Sequence, residues 1–160
     1  MDQQRSGVNP PTIDRVVYIY TWTMEKVAGL DINDVLLHSV ELPTISFNVE
    51  SVKTTVEYKV ASSLSPRECR LSFYDVNDIS KKLVERINKI WSPKEGLQPA
   101  NEYVGESIIS VYYANGQLAA KWCLKNSWIK SLSFSRLTYT RSDVNLVNVV
   151  LAYSWPEKTY

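Results

Sequence analysis

One histidine, two cysteines and a scatter of carboxylates are all that this 160-residue sequence offers for side-chain chemistry. His38 alternates with apolar neighbours and has no nucleophile or second acid at a catalytic spacing, and a working base needs a third group to orient it. Cys69 and Cys123 both fall in β-prone runs, where a thiol behaves as a small hydrophobe. Two cysteines this far apart, with a single histidine, do not build a usual zinc site. Asp75, Asp78 and Asp143 occupy strand ends or turns, positions where aspartate is common for backbone reasons. The five glycines are isolated, so no loop of the phosphate-cradling kind is present. Lys81, Lys82, Arg86 and Lys89 recur on one side of a helical segment; this reads as a solvated face, or one meeting acidic groups on a neighbouring subunit, rather than a phosphate contact. The sequence therefore designates no catalytic, cofactor-binding or metal-binding residue, calls for no cofactor, and reads as non-enzymatic.

Composition narrows the classes further. The chain is 44% apolar, with ten Tyr and five Trp, which is too rich in core-forming residues for disorder. A chain of this length fits one domain and buries roughly 70% of its unfolded surface. Eighteen Lys and Arg against seventeen Asp and Glu leave a formal charge of +1, so no global field attracts nucleic acid or an anionic membrane. No apolar run approaches a membrane span, and the start MDQQRSGVNPP lacks the apolar core of a signal peptide. The expectation is a protein made and kept in a cytosol, with both thiols reduced.

The elements that would position any site are mostly strands. Residues 1–12, ending in Pro10 and Pro11, read as a flexible arm, and residues 13–160 as a single domain. Residues 15–24 alternate as a strand, with Val16, Tyr18, Tyr20 and Trp22 on one face. Gly29 and the cluster Asp31, Ile32, Asn33, Asp34 mark a loop or short helical turn. A strand over 35–41 breaks at Pro43, and 45–52 resumes the alternation. Residues 53–67 (KTTVEYKVASSLSPR) read as a long exposed hairpin or excursion, with Ser62 to Pro66 as its tip. Residues 69–76 return to a strand with Cys69, Leu71 and Phe73 on one side. One helix is clear over 78–91: Ile79, Leu83, Ile87, Ile90 and Trp91 recur at helical spacing, Asn77 or Asp78 can cap it, Lys81, Lys82, Glu85, Arg86 and Lys89 face water, and Pro93 stops it.

The last third carries the strongest pattern. Residues 106–113 and 117–124 flank Ala114, Asn115 and Gly116, and Asn-Gly between apolar runs signals a hairpin. Another β-prone run lies near 131–139. Residues 144–155 (VNLVNVVLAYSW) place Val147, Val149, Leu151, Tyr153 and Trp155 on one face. Val144, Leu146, Val150 and Ala152 lie on the other, interrupted by Asn148 and Ser154. A strand apolar on both faces is covered on both, by its own domain and by a copy of itself. The fold class is mainly β (α+β): sandwich- or barrel-like antiparallel sheets with one packed helix.

The order of strand, broken strand at Glu41-Leu42-Pro43-Thr44, long excursion, strand, helix over 78–91 ending in Trp, and terminal β region resembles the tail tube proteins of contractile-tailed bacteriophages and related contractile injection systems. The segment from Asn126-Ser127-Trp128, through the polar turn Thr140-Arg141-Ser142-Asp143, to Tyr153-Ser154-Trp155 carries the rest of the likeness. The resemblance spans residues 13–155. It implies a structural virion subunit forming hexameric rings stacked into a tube, whose inner sheets join around a lumen and whose long loop reaches the adjacent ring. Its implied partners are copies of itself, the tail sheath, baseplate and tape-measure proteins, and DNA passing through the lumen without sequence specificity, with no membrane bound by this chain. Its implied place is the virion tail, after synthesis in the host bacterial cytoplasm. A baseplate tube-initiator or a neck or tail-terminator subunit would share the fold. A monomeric β-barrel binding a small apolar ligand is the alternative of another class.

Overall fold

The computed structural model describes residues 21–32, 37–65, 67–76, 78–135 and 145–160. The expected arm over 1–12, Tyr18 and Tyr20 of the first strand, Asn77, Asp143 and Val144 lie outside the described residues.

The architecture is mainly β and antiparallel, as the alternation predicts. β1 (Thr21–Val27) turns through Ala28 and Gly29 into β2 (Leu30–Asp31). Both turn residues have positive φ, 47° and 79°, which a tight hairpin twisting with its strands requires and which glycine adopts without steric cost. β3 (Leu37–Val40) ends just before the buried Pro43. β4 (Phe47–Lys53) and β5 (Glu57–Leu64) form a separate two-stranded sheet. β6 (Glu68–Tyr74) buries Cys69, Leu71 and Phe73 in strict alternation.

α1 (Ile79–Asn88) places Ile79 and Leu83 wholly in the core, with Ile87 packed against it. Three details of this helix differ from the sequence expectation. Asp78 stands at the N-terminus in the left-handed conformation (φ 57°), not the extended one a capping residue usually adopts, and makes no side-chain cap. The helix ends at Asn88, five residues before Pro93, where the chain turns into the small hairpin β7 (Trp91–Ser92) and β8 (Gly96–Leu97). Trp91 thus leaves the helical face and is exposed. Arg86 turns from water toward α2 (Ala100–Tyr103), where its guanidinium donates to the carbonyls of Glu102 (3.4 Å) and Tyr103 (3.1 Å).

β9 (Gly105–Tyr112) and β10 (Leu118–Phe134) flank the Asn115–Gly116 turn, as the sequence predicts. β10 is one 17-residue strand, where two separate runs were expected. It carries a bulge at Asn126 (φ 51°), a bend that lets one strand serve two sheets. Its first half pairs with β9, and its second half pairs with β11 (Leu146–Ala152). β12 (Trp155–Thr159) runs back along the first half, so Trp155 opens a new strand instead of extending the buried face of β11.

The strand order β2-β1-β9-β10-β11-β6-β3, with β12 on β10, gives two sheets hinged on β10. Between them and α1 lies one core: Met24, Val27, Ile109 and Leu124 from the first sheet, and Cys69, Leu71, Phe73, Ile129, Val147, Val149 and Leu151 from the second. Burying each such Leu, Ile, Val or Phe side chain contributes about 1.5–3 kcal/mol.

Candidate assembly surfaces

Four features of the exterior could do work, and each follows from local sequence. The first is the β4–β5 hairpin. It starts at Phe47, earlier than the sequence suggested, because 45–52 belongs to the excursion and not to the body. Its tip is Thr54 to Val56, and Ser62 to Ser65 form its base, where Ser65 donates its amide to the Ser46 carbonyl (3.1 Å). Asn48 ties that base, donating from Nδ2 to Ser63 Oγ (2.9 Å) and accepting at Oδ1 from Ser65 Oγ (3.0 Å). Along its length the hairpin exposes Phe47, Val49, Val56, Tyr58, Val60 and Leu64. A two-stranded hairpin is marginal alone in water, and six large apolar side chains on it constitute a surface that gains by being covered.

The second feature is the outer face of the second sheet. Cross-strand pairing lines up Ser39 on β3, Ser72 on β6, Asn148 on β11 and Ser133 on β10 in one row. Ser72 Oγ donates to Asn148 Oδ1 at 2.6 Å. In the next rows, Val150 stands between Arg70 and Ser131, and Leu146 beside Tyr74. The second face of β11 therefore carries Leu146, Val150 and Ala152 as its sequence suggested, crossed at Asn148 by a polar row. These three side chains are half-buried on it, and the one row across the sheet is small and polar because the neighbouring strands supply serine.

The third feature is a groove of about 540 Å³ where the core-facing side of the first sheet runs past the buried core. Trp22 is paired with Val111, and Ala120 also lies opposite Val111, so these residues share that face. Trp22, Leu42, Tyr113, Trp122 and Tyr160 line the groove, with Lys158 Nζ over the rings of Trp122 (5.2 Å) and Tyr160 (4.4 Å). The fourth is at the base of the hairpin, where the Arg67 guanidinium lies over the Trp155 ring (4.9 Å to its centroid).

The outer face of the first sheet, by contrast, is closed by its own charges. Lys121 binds Glu25 (3.0 Å), and Lys125 binds Glu106 (2.6 Å) and Glu157 (3.5 Å). The Ser110 hydroxyl (2.6 Å from Glu25 Oε1) is the main cause holding the Glu25 carboxyl below its usual range; partial burial opposes it and Lys121 adds to it. Glu106 is likewise held low by Lys125, and Lys125 is held high by Glu106.

The residues weighed for chemistry are dispersed. His38 lies exposed on β3 with Nδ1 3.2 Å from the Tyr74 hydroxyl, and the two rings meet edge to face. Cys69 is buried and donates its thiol to the Glu41 carbonyl (3.0 Å); burial, with Glu41 nearby, pushes it up to about 12. Burial also raises the half-buried Cys123. Among the described residues no three His, Cys, Asp or Glu side chains group as metal ligands, and no helix is long and apolar enough to cross a membrane. Sequence reasoning missed the serine row, the groove and Arg67. Only strand register brings the first two together.

Solved structures share this arrangement. A chain of the sheath/tube terminator of the PVC extracellular contractile injection system, in its extended state, superposes with a TM-score of 0.74, covering 92% of this chain and 99% of its own at 17% identity. The fold is that of the contractile tail tube. Two further structures with this tail-tube fold are the tube-terminating cap of the anti-feeding prophage and the PVC sheath–tube complex. The cap has a TM-score of 0.69 at 17% identity over 99% of this chain and 95% of its own; the sheath–tube complex has 0.67 at 16% over 89% of each. No family model and no curated protein matches the sequence. The tail-tube fold thus persists here with few identical residues, which is possible where alternation and volume, rather than a reactive site, define the structure.

Proposed function

We propose that this chain is a non-enzymatic structural subunit of a contractile injection machine, forming a ring at the terminating end of its tube. The observation that carries this reading is the superposition on a terminator chain over 92% of this chain and 99% of that one, which leaves neither with a large unmatched part. The terminating cap of the anti-feeding prophage adds to it. The tube-body role has weaker support, from the lower score to the sheath–tube complex.

Physical features agree with a ring. The hairpin offers an apolar surface that another copy would cover. Unpaired strand edges are sites for strand addition between chains, and proteins that remain monomeric blunt them. The row Ser39, Ser72, Asn148, Ser133 is small and uncharged and suits the wall of a lumen through which DNA or a protein cargo passes without being held. The ring is six-membered in this reading, with sheath, tube and baseplate proteins as its neighbours.

Negative-stain electron microscopy with sedimentation velocity tests the reading. A terminator gives discrete rings that do not lengthen with concentration, whereas a tube-body subunit gives filaments. A second reading, binding of a small apolar molecule, is favoured by the aromatic groove, whose volume falls in the range of ligand sites. Monomers at every concentration, together with saturable binding of an apolar fluorophore lost in Trp122→Ala, would replace the first reading by the second.

A further inference from the structure

Arg67 is the only charged side chain that is buried among the described residues, at 8% exposure. Its Nε and Nη2 are shut off from water and have no hydrogen-bond partner. Every ion pair among the described residues uses a lysine. The Trp155 ring stacks on the guanidinium, but a ring face offers no acceptor in the plane where Nε–H and Nη2–H point. The main chain does not need this side chain either, since the Arg67 carbonyl already accepts the Tyr153 amide (3.3 Å). Leaving two buried donors of a guanidinium without acceptors costs the fold free energy that a hydrogen-bonding partner would return. A guanidinium left with its Nε/Nη2 edge empty has the geometry for two parallel hydrogen bonds to a carboxylate.

Its position indicates where that carboxylate would come from. Arg67 lies two residues beyond the hairpin base closed by Ser65 and Ser46, and the Trp155 ring stacked on it is itself partly exposed. A copy that covers the hairpin down to its base would come beside Arg67. The hairpin itself carries Glu50 and Glu57, both exposed and without an ion pair among the described residues.

We propose that Arg67 is the receptor for a hairpin carboxylate, Glu50 or Glu57, of a second copy of this chain, with the Trp155 ring stacked on its face holding the guanidinium in place. This rests on the ring-subunit reading above. The arrangement couples two properties: the cation is a burden on the separate subunit and a fixed anchor in the assembly.

The test uses the full chain and compares Arg67→Met, Glu50→Gln and Glu57→Gln with the wild type, reading thermal midpoint in the dispersed state and assembly by sedimentation velocity. Arg67→Met should melt no lower than the wild type, yet need at least about tenfold more protein to assemble, in line with the loss of one buried charge pair. One of the two glutamine variants should show the same assembly loss at an unchanged melting point, and combining it with Arg67→Met should add nothing further. Assembly of Arg67→Met at wild-type concentrations overturns the proposal, as does wild-type assembly by both glutamine variants. A lowered melting point in Arg67→Met with assembly intact assigns the guanidinium a purely structural role and also overturns it. A wild type that stays monomeric throughout overturns the ring reading itself, and this proposal with it.

Discussion

Ser107 Oγ and Ser127 Oγ lie 2.7 Å apart in a site with no solvent exposure, and together they complete a relay of donors. The Ala28 amide donates to Ser107 Oγ (2.7 Å), Ser107 can donate to Ser127, and Ser127 donates to the Gly105 carbonyl (3.1 Å). Three segments far apart in sequence thus meet at one point: the β1–β2 turn, the start of β9 and the bend of β10. This junction is where β10 leaves one sheet for the other.

Breaking the relay should therefore destabilise the whole sandwich. Ser107→Ala leaves the Ala28 amide buried without an acceptor, and we expect a loss of about 1–3 kcal/mol. Gly105→Ala should cost at least as much, because a Cβ there would stand 2.6 Å from the Ala28 and Gly29 main chain. Urea unfolding followed by tryptophan fluorescence measures both. A midpoint unchanged within error for both variants would mean that the bend is held elsewhere.

The hairpin gives a prediction about dynamics. Trypsin should cut rapidly after Lys53 or Lys59 in dispersed protein, since this two-stranded sheet is exposed at every position but the half-buried Val52, and slowly once copies assemble. Replacing Val56 and Tyr58 with serine should change subunit stability by no more than about 0.5 kcal/mol, as for other surface positions, while preventing assembly. Equal protection of Lys59 in both states would place the hairpin outside the interface.

Acid should weaken the first sheet through Glu25. Its folded carboxyl sits below the ordinary value of 4.5, so the stabilisation is complete above that pH and is lost as pH falls through the depressed value. Since both Glu25 and Lys121 are about one-third exposed, the contribution should stay near or below about 1 kcal/mol. Thermal melts from pH 6 to about pH 3 should show a steeper fall for the wild type than for Glu25→Gln. Parallel curves would exclude the role.

The two thiols should separate chemically. Cys69, raised to about 12 by burial, should resist a thiol-reactive dye until the chain unfolds, whereas the half-buried Cys123 should label first. Above pH 9 the unfolded chain ionises at Cys69 and the folded chain does not, so stability should decline with alkali less in Cys69→Ala than in the wild type. Mass spectrometry of labelled peptides distinguishes the sites, and prompt labelling at Cys69 would contradict the buried geometry.

The sequence by itself determined the buried face of the central strands and of the helix. Alternation placed Leu71 and Phe73, then Val147, Val149 and Leu151, in the core, and the helical spacing of Ile79, Leu83 and Ile87 did the same for α1, because side-chain direction follows from local backbone period alone. It also located the Asn115–Gly116 turn, whose geometry is a property of two residues. What only the tertiary structure decided depends on partners remote in the chain. A polar row crosses the outer face of β11 because Ser72 and Ser133 pair beside Asn148, and the helix lost Trp91 to a hairpin with Leu97. β10 became one bent strand because Ser107 and the Ala28 turn meet its bulge. Arg67, a charge at the end of an excursion in the sequence, is buried in the fold and meets Trp155 of β12, since burial depends on what remote parts of the chain place around a residue.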